Sequence, residues 1–308
     1  MAFLKKQVKV RIGNIEWPAY LDIMTQTETD YETVPFNKEN NFHPKNADYY
    51  DRKNLDEGTA ILPVISNPQN PSGQTRSGEE LRELIKIAEQ PGNGILLDEA
   101  YEMFHSPSVS GIEFVQNLDS SNVFLSGACT KGLQSPGIRI GWIIASKRNI
   151  EILANYSSFG MGGVSHPSQH YAIKLLDSSR VKKARKAVEE HYNWQRQRYG
   201  KAFKEMGLGV YTGNGGFYHW LELPKGMDSD ELNKRLFKRG AAILCAFDCD
   251  MGRPHSKDPK YKTPYDRFFR FSFGPLLPET FEADIKLFRE VYETYKNEAG
   301  VDLSLIHL

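Results

Sequence analysis

Lys131 stands at the end of the stretch Ser126-Gly127-Ala128-Cys129-Thr130-Lys131, directly after an apolar run, Asn122 to Leu125, that reads as a buried strand. In open α/β sheets, ligands collect at the carboxyl ends of the strands. A lysine amine placed there can form a Schiff base with a carbonyl. Beyond a Pro136-Gly137 turn comes Arg139, leading into a second strand. A guanidinium is well suited to hold a phosphate by paired hydrogen bonds. A lysine for an aldehyde and an arginine for a phosphate together point to pyridoxal phosphate (PLP). Taken alone, a lysine after a strand is an ordinary solvated loop residue; the surrounding pattern is what argues against that reading.

Other segments also place polar residues at the ends of apolar runs. Val8 to Ile12 alternates as a strand does and leads into Asn14-Ile15-Glu16-Trp17-Pro18-Ala19-Tyr20, where Tyr20 to Thr25 can start a helix. Ala60 to Ile65 is an apolar, partly β-branched strand, followed by Ser66-Asn67-Pro68-Gln69-Asn70-Pro71-Ser72-Gly73. Asn-Pro pairs and a glycine mark a turn, and Pro71 favours an extended Asn70. A helix from Gly78 to Gln90 follows, with Ser77 as expected N-cap and Leu81, Leu84, Ile85 and Ala88 as the buried stripe. Gly94 to Leu97 is a short strand ending in Asp98-Glu99-Ala100-Tyr101. Late in the chain, Arg270 lies within the strand Phe268 to Gly274, between apolar neighbours, where a charge needs a partner.

These segments, in this order, resemble the class I/II aminotransferases, which are fold type I PLP enzymes. The family's lysine motif runs Ser-x-Ser/Thr-Lys, then Pro-Gly-x-Arg-x-Gly; Thr130, Lys131, Pro136, Gly137, Arg139 and Gly141 fit it. Ala128 departs from it, standing where the family often has a phosphate-binding serine. The resemblance implies that Lys131 is the cofactor-bearing catalytic lysine and that Thr130 and Arg139 belong to the cofactor site, Arg139 on the phosphate. It implies that Trp17 stacks on the pyridine ring and Asp98 pairs with the protonated ring nitrogen. Asn70 and Tyr101 would reach the phenolic oxygen, with Asn70 also beside the substrate. Arg270 would bind the substrate α-carboxylate. The implied fold is α/β: a mostly parallel sheet between helix layers, plus a small C-terminal α+β domain. The implied division is a large PLP-binding domain at 1–165, an interdomain helix at 166–206 and a small domain at 207–308.

The implied activity is transfer of an amino group between an α-amino acid and a 2-oxo acid by a homodimer. Two alternatives use the same residues or scaffold: a PLP-dependent lyase, decarboxylase or synthase, and a catalytically impaired binding protein. Roughly the first quarter of a usual family member, including a phosphate-binding helix N-terminus, has no counterpart in this numbering. Weaker PLP binding and a free strand edge are the expected consequences.

The bulk properties narrow the partners. The 308 residues carry 39 basic and 39 acidic side chains, a formal net charge of zero, which argues against nucleic-acid and anionic-membrane binding. No apolar run approaches a membrane span, and the first ten residues do not read as a signal peptide. Three cysteines make no disulfide framework, and Cys245, Cys249 and His255 match no common zinc spacing, so no metal is expected. The expectation is a soluble cytoplasmic enzyme.

The remaining segments are expected as follows. Tyr31 to Phe36 is a weak strand, and Asn37 to Gly58 a polar surface segment with a short helix near Asp48 to Asn54. Glu151 to Ser158 is helical; a long helix begins at Ser165-His166-Pro167, breaks near Asp177 and resumes from Val181 to Met206. Gly213 to Gly216 is a turn rather than a phosphate cradle, and His219, in the strand after it, is packed rather than catalytic. Asp228 to Arg239 is a helix, Ala241 to Leu244 a strand, Phe247 to Pro264 a polar loop that could serve as a substrate lid, and Glu279 to Asn297 the closing helix.

Overall fold

The computed structural model describes residues 7–253 and 260–301. A six-stranded sheet forms from β1 (Val8–Gly13), β2 (Tyr31–Val34), β3 (Ala60–Ser66), β4 (Ile95–Asp98), β5 (Val123–Ala128) and β6 (Gly141–Ile144), in the spatial order β2-β1-β3-β4-β5-β6. All neighbours pair in parallel except β5 and β6. β3 and β4 read as near-continuous apolar runs because they are central and covered on both faces. The helices of this half are α1 (Pro18–Gln26), α2 (Gly78–Ala88) and α3 (Lys147–Met161). Leu81, Leu84, Ile85 and Ala88 of α2 are buried as the periodicity predicts, although Ser77 makes no side-chain cap.

Next come α4 (His166–Leu175) and the long α5 (Ser178–Glu205), separated at Asp177, whose carboxylate caps α5 by accepting from the Ser179 and Arg180 amides. A second sheet, antiparallel throughout and ordered β7-β8-β10-β9, comprises β7 (Gly209–Val210), β8 (Tyr218–Glu222), β9 (Leu244–Cys245) and β10 (Phe268–Ser272). It carries α6 (Ser229–Phe237), the short α7 (Ala246–Cys249) and α8 (Phe281–Glu298). The sheets do not have separate cores. Tyr101, Met103 and Phe104, just past β4, pack with Tyr192, Phe203 and Phe269 from the second half. Trp220 of β8 in turn packs with Phe36, Phe42 and Phe268.

Several expectations need correction. The 37–58 segment is not simply a surface: Phe42, Tyr49 and Tyr50 are buried, and its helical turn lies at Asn46–Tyr50. Aromatics spaced without a period can each reach the core from irregular backbone, which periodicity does not detect. The strand expected at Ala241 to Leu244 is only Leu244–Cys245, because the Ile243 amide is taken by the Asn233 side chain. The start of the expected lid is anchored instead: Asp250 pairs with Ile15, and the Met251 amide bonds the Asn14 carbonyl. Asp250 also accepts from Tyr261 and Thr263 at 2.7 Å each. His255 and the centre of that loop lie outside the described residues.

The Gly213 to Gly216 turn has a structural task. Its Gly213 and Gly215 amides each donate at 2.9 Å to the Ser72 and Gly73 carbonyls of the Asn-Pro loop. A Cβ on Gly213 would lie 2.3 Å from the Gly73 carbonyl oxygen, and one on Gly215 would lie 2.2 Å from Thr75 Oγ1. At Gly213 only glycine lets the two backbones meet this closely, and at Gly215 only glycine clears the Thr75 and Pro68 side chains.

Candidate active site

Parallel pairing puts the carboxyl ends of β3, β4 and β5 side by side. The register sets Ser66 opposite Asp98, and Asp98 opposite Ser126. All three line a cavity of about 450 Å³, with Trp17 and Tyr20 at one wall and Tyr218 and Arg270, from the second sheet, at another. Asn70, Tyr101, Thr130, Lys131, Arg139 and Ala128 also line it. Every residue singled out for the site in the sequence therefore borders one concavity.

Asp98 sits among donors. Tyr20 donates to Asp98 Oδ2 at 2.6 Å, the Ala100 amide to Oδ1 at 3.1 Å, and Ser126 Oγ to Oδ1 at a long 3.4 Å. Burial first, and the adjacent Asp98 charge second, push the Tyr20 hydroxyl well above its usual pKa, so it remains a donor. The neighbouring carboxyl, Glu99, turns away and accepts from the Gly111 amide and Ser110 Oγ; burial raises its pKa to about 7. Of two consecutive acids, β-strand alternation thus aims only Asp98 at the cavity. Trp17 precedes α1, meets Tyr20 edge-on at 5.5 Å and is 42% exposed, which leaves an indole face free for a flat ring.

Lys131 lies just beyond β5, its Nζ 5.6 Å from the Phe217 ring centre and 5.9 Å from that of Tyr101. Its amine pKa is lowered, first by burial and then by the Arg270 and Arg139 charges. A larger share of neutral, nucleophilic amine results. Arg139 caps the turn Pro136–Ile138 with a left-handed backbone, φ 52°, and donates to the Pro136 carbonyl at 2.8 Å. Such a φ is uncommon for a residue with a Cβ and is tolerated where surroundings fix it. Thr130 shares the cavity wall, whereas Ala128 presents only a methyl group.

Arg270 is contributed by β10, across the fold. Its Nη1 donates to Asn70 Oδ1 at 2.8 Å, and its guanidinium lies 4.2 Å from the Tyr218 ring centre. Its buried Nε has no partner. A half-buried guanidinium at the wall of a cavity suits an incoming carboxylate. Tyr101 and Tyr218 are joined hydroxyl to hydroxyl at 2.7 Å.

Tyr20, Ser66, Ser126 and Tyr218 were not singled out from the sequence. Tyr20 follows Trp17 by three residues, which places the two as neighbours at a helix start. Ser66 and Ser126 become visible only through strand register, and Tyr218 only through packing of the two sheets. His219 is buried and bonds Thr212 through Nδ1; burial pushes its pKa down to about 3, and it does not line the cavity. Ser165 caps α4, accepting from the Ser168 amide. Among the described residues no group of His, Cys, Asp or Glu is placed to hold a metal ion.

The arrangement has known counterparts. The family model for aminotransferase class I and II matches residues 1–274, and the chain belongs to that family. Members of this family are PLP-dependent. An aspartate aminotransferase of Pyrococcus horikoshii is 25% identical over 245 residues, 79% of this chain and 62% of that protein. A 1-aminocyclopropane-1-carboxylate synthase of Prunus mume is 25% identical over 233 residues, 73% of this chain and 46% of that protein. The chain thus spans between 46% and 62% of the length of these two relatives. Among solved structures, a Thermus thermophilus aspartate aminotransferase double mutant aligns with a TM-score of 0.78 at 19% identity, covering 94% of this chain and 71% of that one. The fold is the fold type I arrangement of those enzymes.

Proposed function

We propose that this chain is a PLP-dependent aminotransferase that moves an amino group between an α-amino acid and a 2-oxo acid. The carrying observation is the convergence of Lys131, Asp98 and Arg270 on one cavity, with the buried Arg270 Nε lacking a partner. The residues fit the cofactor. Asp98 offers an acceptor for a ring N–H, Trp17 a flat face, and Thr130 with Arg139 donors for a phosphate. Asn70 already spends its carbonyl on Arg270, leaving its amide N–H groups as donors for a phenolic oxygen.

When bound, PLP supplies an electron sink for negative charge developing at the substrate Cα. The protein's part is positional and acid–base. Arg270 grips the α-carboxylate and so fixes the Cα–H bond relative to Lys131. The Lys131 amine, its pKa lowered by burial and two nearby cations, takes that proton and returns it. Asp98, held by Tyr20 and the Ala100 amide, fixes the cofactor ring from its nitrogen edge.

A PLP-dependent synthase or lyase remains the second reading, favoured by the similarity to 1-aminocyclopropane-1-carboxylate synthases. We assign 1–165 to a large cofactor-binding part, 166–206 to connecting helices and 207–308 to a small domain. We also infer a homodimer: α3 and α4 expose Tyr156, Phe159, Met161 and Ile173, with Phe159 96% exposed, more apolar surface than a monomer usually leaves open. The three free, buried thiols Cys129, Cys245 and Cys249 favour a reducing compartment such as the cytoplasm.

One experiment separates the readings. The protein is incubated with PLP, α-amino acids and a 2-oxo acid, and products are identified by mass. Formation of the new amino acid in step with loss of the first supports transamination. An ammonia- or thioether-releasing product without amino transfer supports the synthase or lyase reading, and absence of any PLP absorption change defeats both.

A further inference from the structure

Tyr218 is conspicuous because two site residues from different sheets depend on it. It is a β8 residue, yet its hydroxyl meets Tyr101 from the loop after β4, while its ring lies against the guanidinium of Arg270 from β10. Its side chain is buried. We propose that Tyr218 is a positioning residue: its hydroxyl donates to Tyr101, leaving the Tyr101 proton for the cofactor's phenolic oxygen, and its ring holds Arg270 flat for the substrate carboxylate. The inference rests on the PLP reading above.

Burial is the largest influence on both hydroxyls and raises the pKa of each, so both remain protonated. Two neutral hydroxyls at 2.7 Å share one bridging proton and leave one to be directed elsewhere. If Tyr101 were the donor, the spare proton would belong to Tyr218, whose ring neighbour is the Arg270 cation, itself only a donor. With Tyr218 as donor, the spare proton belongs to Tyr101, which lies near Lys131. A hydroxyl that accepts a hydrogen bond also becomes a better donor. The ring has a separate task. An aromatic face beside a partly desolvated guanidinium attracts it and restricts its plane, and the Asn70 bond fixes the remaining rotation.

The two tasks can be separated by substitution. Tyr218→Phe keeps the ring and removes the proton; Tyr218→Leu removes both. In Tyr218→Phe the pH midpoint of the bound cofactor's absorption change should rise by roughly 0.3–1 pH unit, because the phenolic oxygen loses part of its donor. The KM for the amino acid should stay within about twofold, since the ring contact persists. Tyr218→Leu should show the same spectral shift and raise KM by about 3- to 30-fold. An unmoved midpoint in Tyr218→Phe would overturn the proton assignment, and equal KM in the two variants would overturn the ring assignment. A wild-type protein with no PLP band would instead defeat the underlying reading. In that case a stability cycle on the PLP-free protein still tests the pair: Tyr101→Phe and Tyr218→Phe together should destabilise by less than their sum. Strict additivity would mean that the two hydroxyls are not coupled by a hydrogen bond.

Discussion

Arg270 offers the most direct quantitative test of the substrate site. Arg270→Met removes the guanidinium while retaining a flexible apolar stem. In the proposed complex the carboxylate receives two charge-assisted hydrogen bonds, each worth about 1.5–3 kcal/mol. Loss of both costs about 3–6 kcal/mol, or roughly 100- to 10,000-fold in kcat/KM at about 1.4 kcal/mol per tenfold. Arg270→Lys keeps the charge but not the fork or the plane lying against Tyr218, so its loss should fall between wild type and Arg270→Met. The assay is the single-turnover reaction of PLP-loaded protein with an amino acid, followed by absorbance. A second signal comes from Lys131, whose amine is held low partly by the Arg270 charge. Covalent attachment of pyridoxal to that amine should therefore move to higher pH in Arg270→Met and stay nearer the wild type in Arg270→Lys. A kcat/KM within threefold of wild type in Arg270→Met, or an unmoved pH profile, would refute the carboxylate role or the charge coupling respectively.

Ala128→Ser restores a hydroxyl on the cavity wall and should tighten PLP binding by about 10-fold, one added hydrogen bond to a charged oxygen, with no comparable gain for pyridoxal lacking the phosphate. Equal gains for both ligands would show that the hydroxyl does not reach the phosphate. Glu16 is fully buried; neither carboxylate oxygen meets a donor in good hydrogen-bond geometry, although the Gln69 side chain and Gly13 amide lie near enough to oppose burial in part. Burial therefore holds its pKa well above the usual value, so the folded state keeps a proton that the unfolded chain releases. Stability owed to this group is greatest in acid and falls as pH rises from the unfolded value toward the folded one. The unfolding free energy of Glu16→Gln relative to wild type should rise with pH across that window by up to about 1.4 kcal/mol per pH unit, as read from denaturant melts. A pH-independent difference would mean that Glu16 is ionised when folded.

Much of the site could be read in the sequence because its residues follow strands. Asp98 and Lys131 lie at or just beyond the ends of apolar runs, and in a parallel sheet such ends face one side, so linear order already brings them near each other. Trp17 and Asn70 follow β1 and β3 for the same reason. What the sequence did not disclose is lateral. Ser126 reaches Asp98 because β4 and β5 pair in one register; a shift by one residue would turn it to the other face. Likewise, no periodicity marks Phe42, Tyr49 and Tyr50 as core, since each enters from irregular chain.

The hardest feature to read was the joint between the halves, and it bears most on function. Arg270 belongs to a sheet that shares no strand pairing with the one bearing Lys131. Its place at the cavity therefore depends on how the two sheets are docked. The Gly213 to Gly216 turn is hydrogen-bonded to the very loop that carries Asn70, and Asn70 accepts from Arg270. The backbone contact and the side-chain contact close a short circuit: loop to turn, turn to β8, β8 to β10 by register, and β10 back to the loop. Trp220 of β8 lies directly opposite Arg270 of β10, so a displacement of the turn carries to the guanidinium through two strands. A glycine-rich turn is thus part of the structure that places Arg270 at the cavity, and its Gly213 is required by the close approach of the Gly73 backbone.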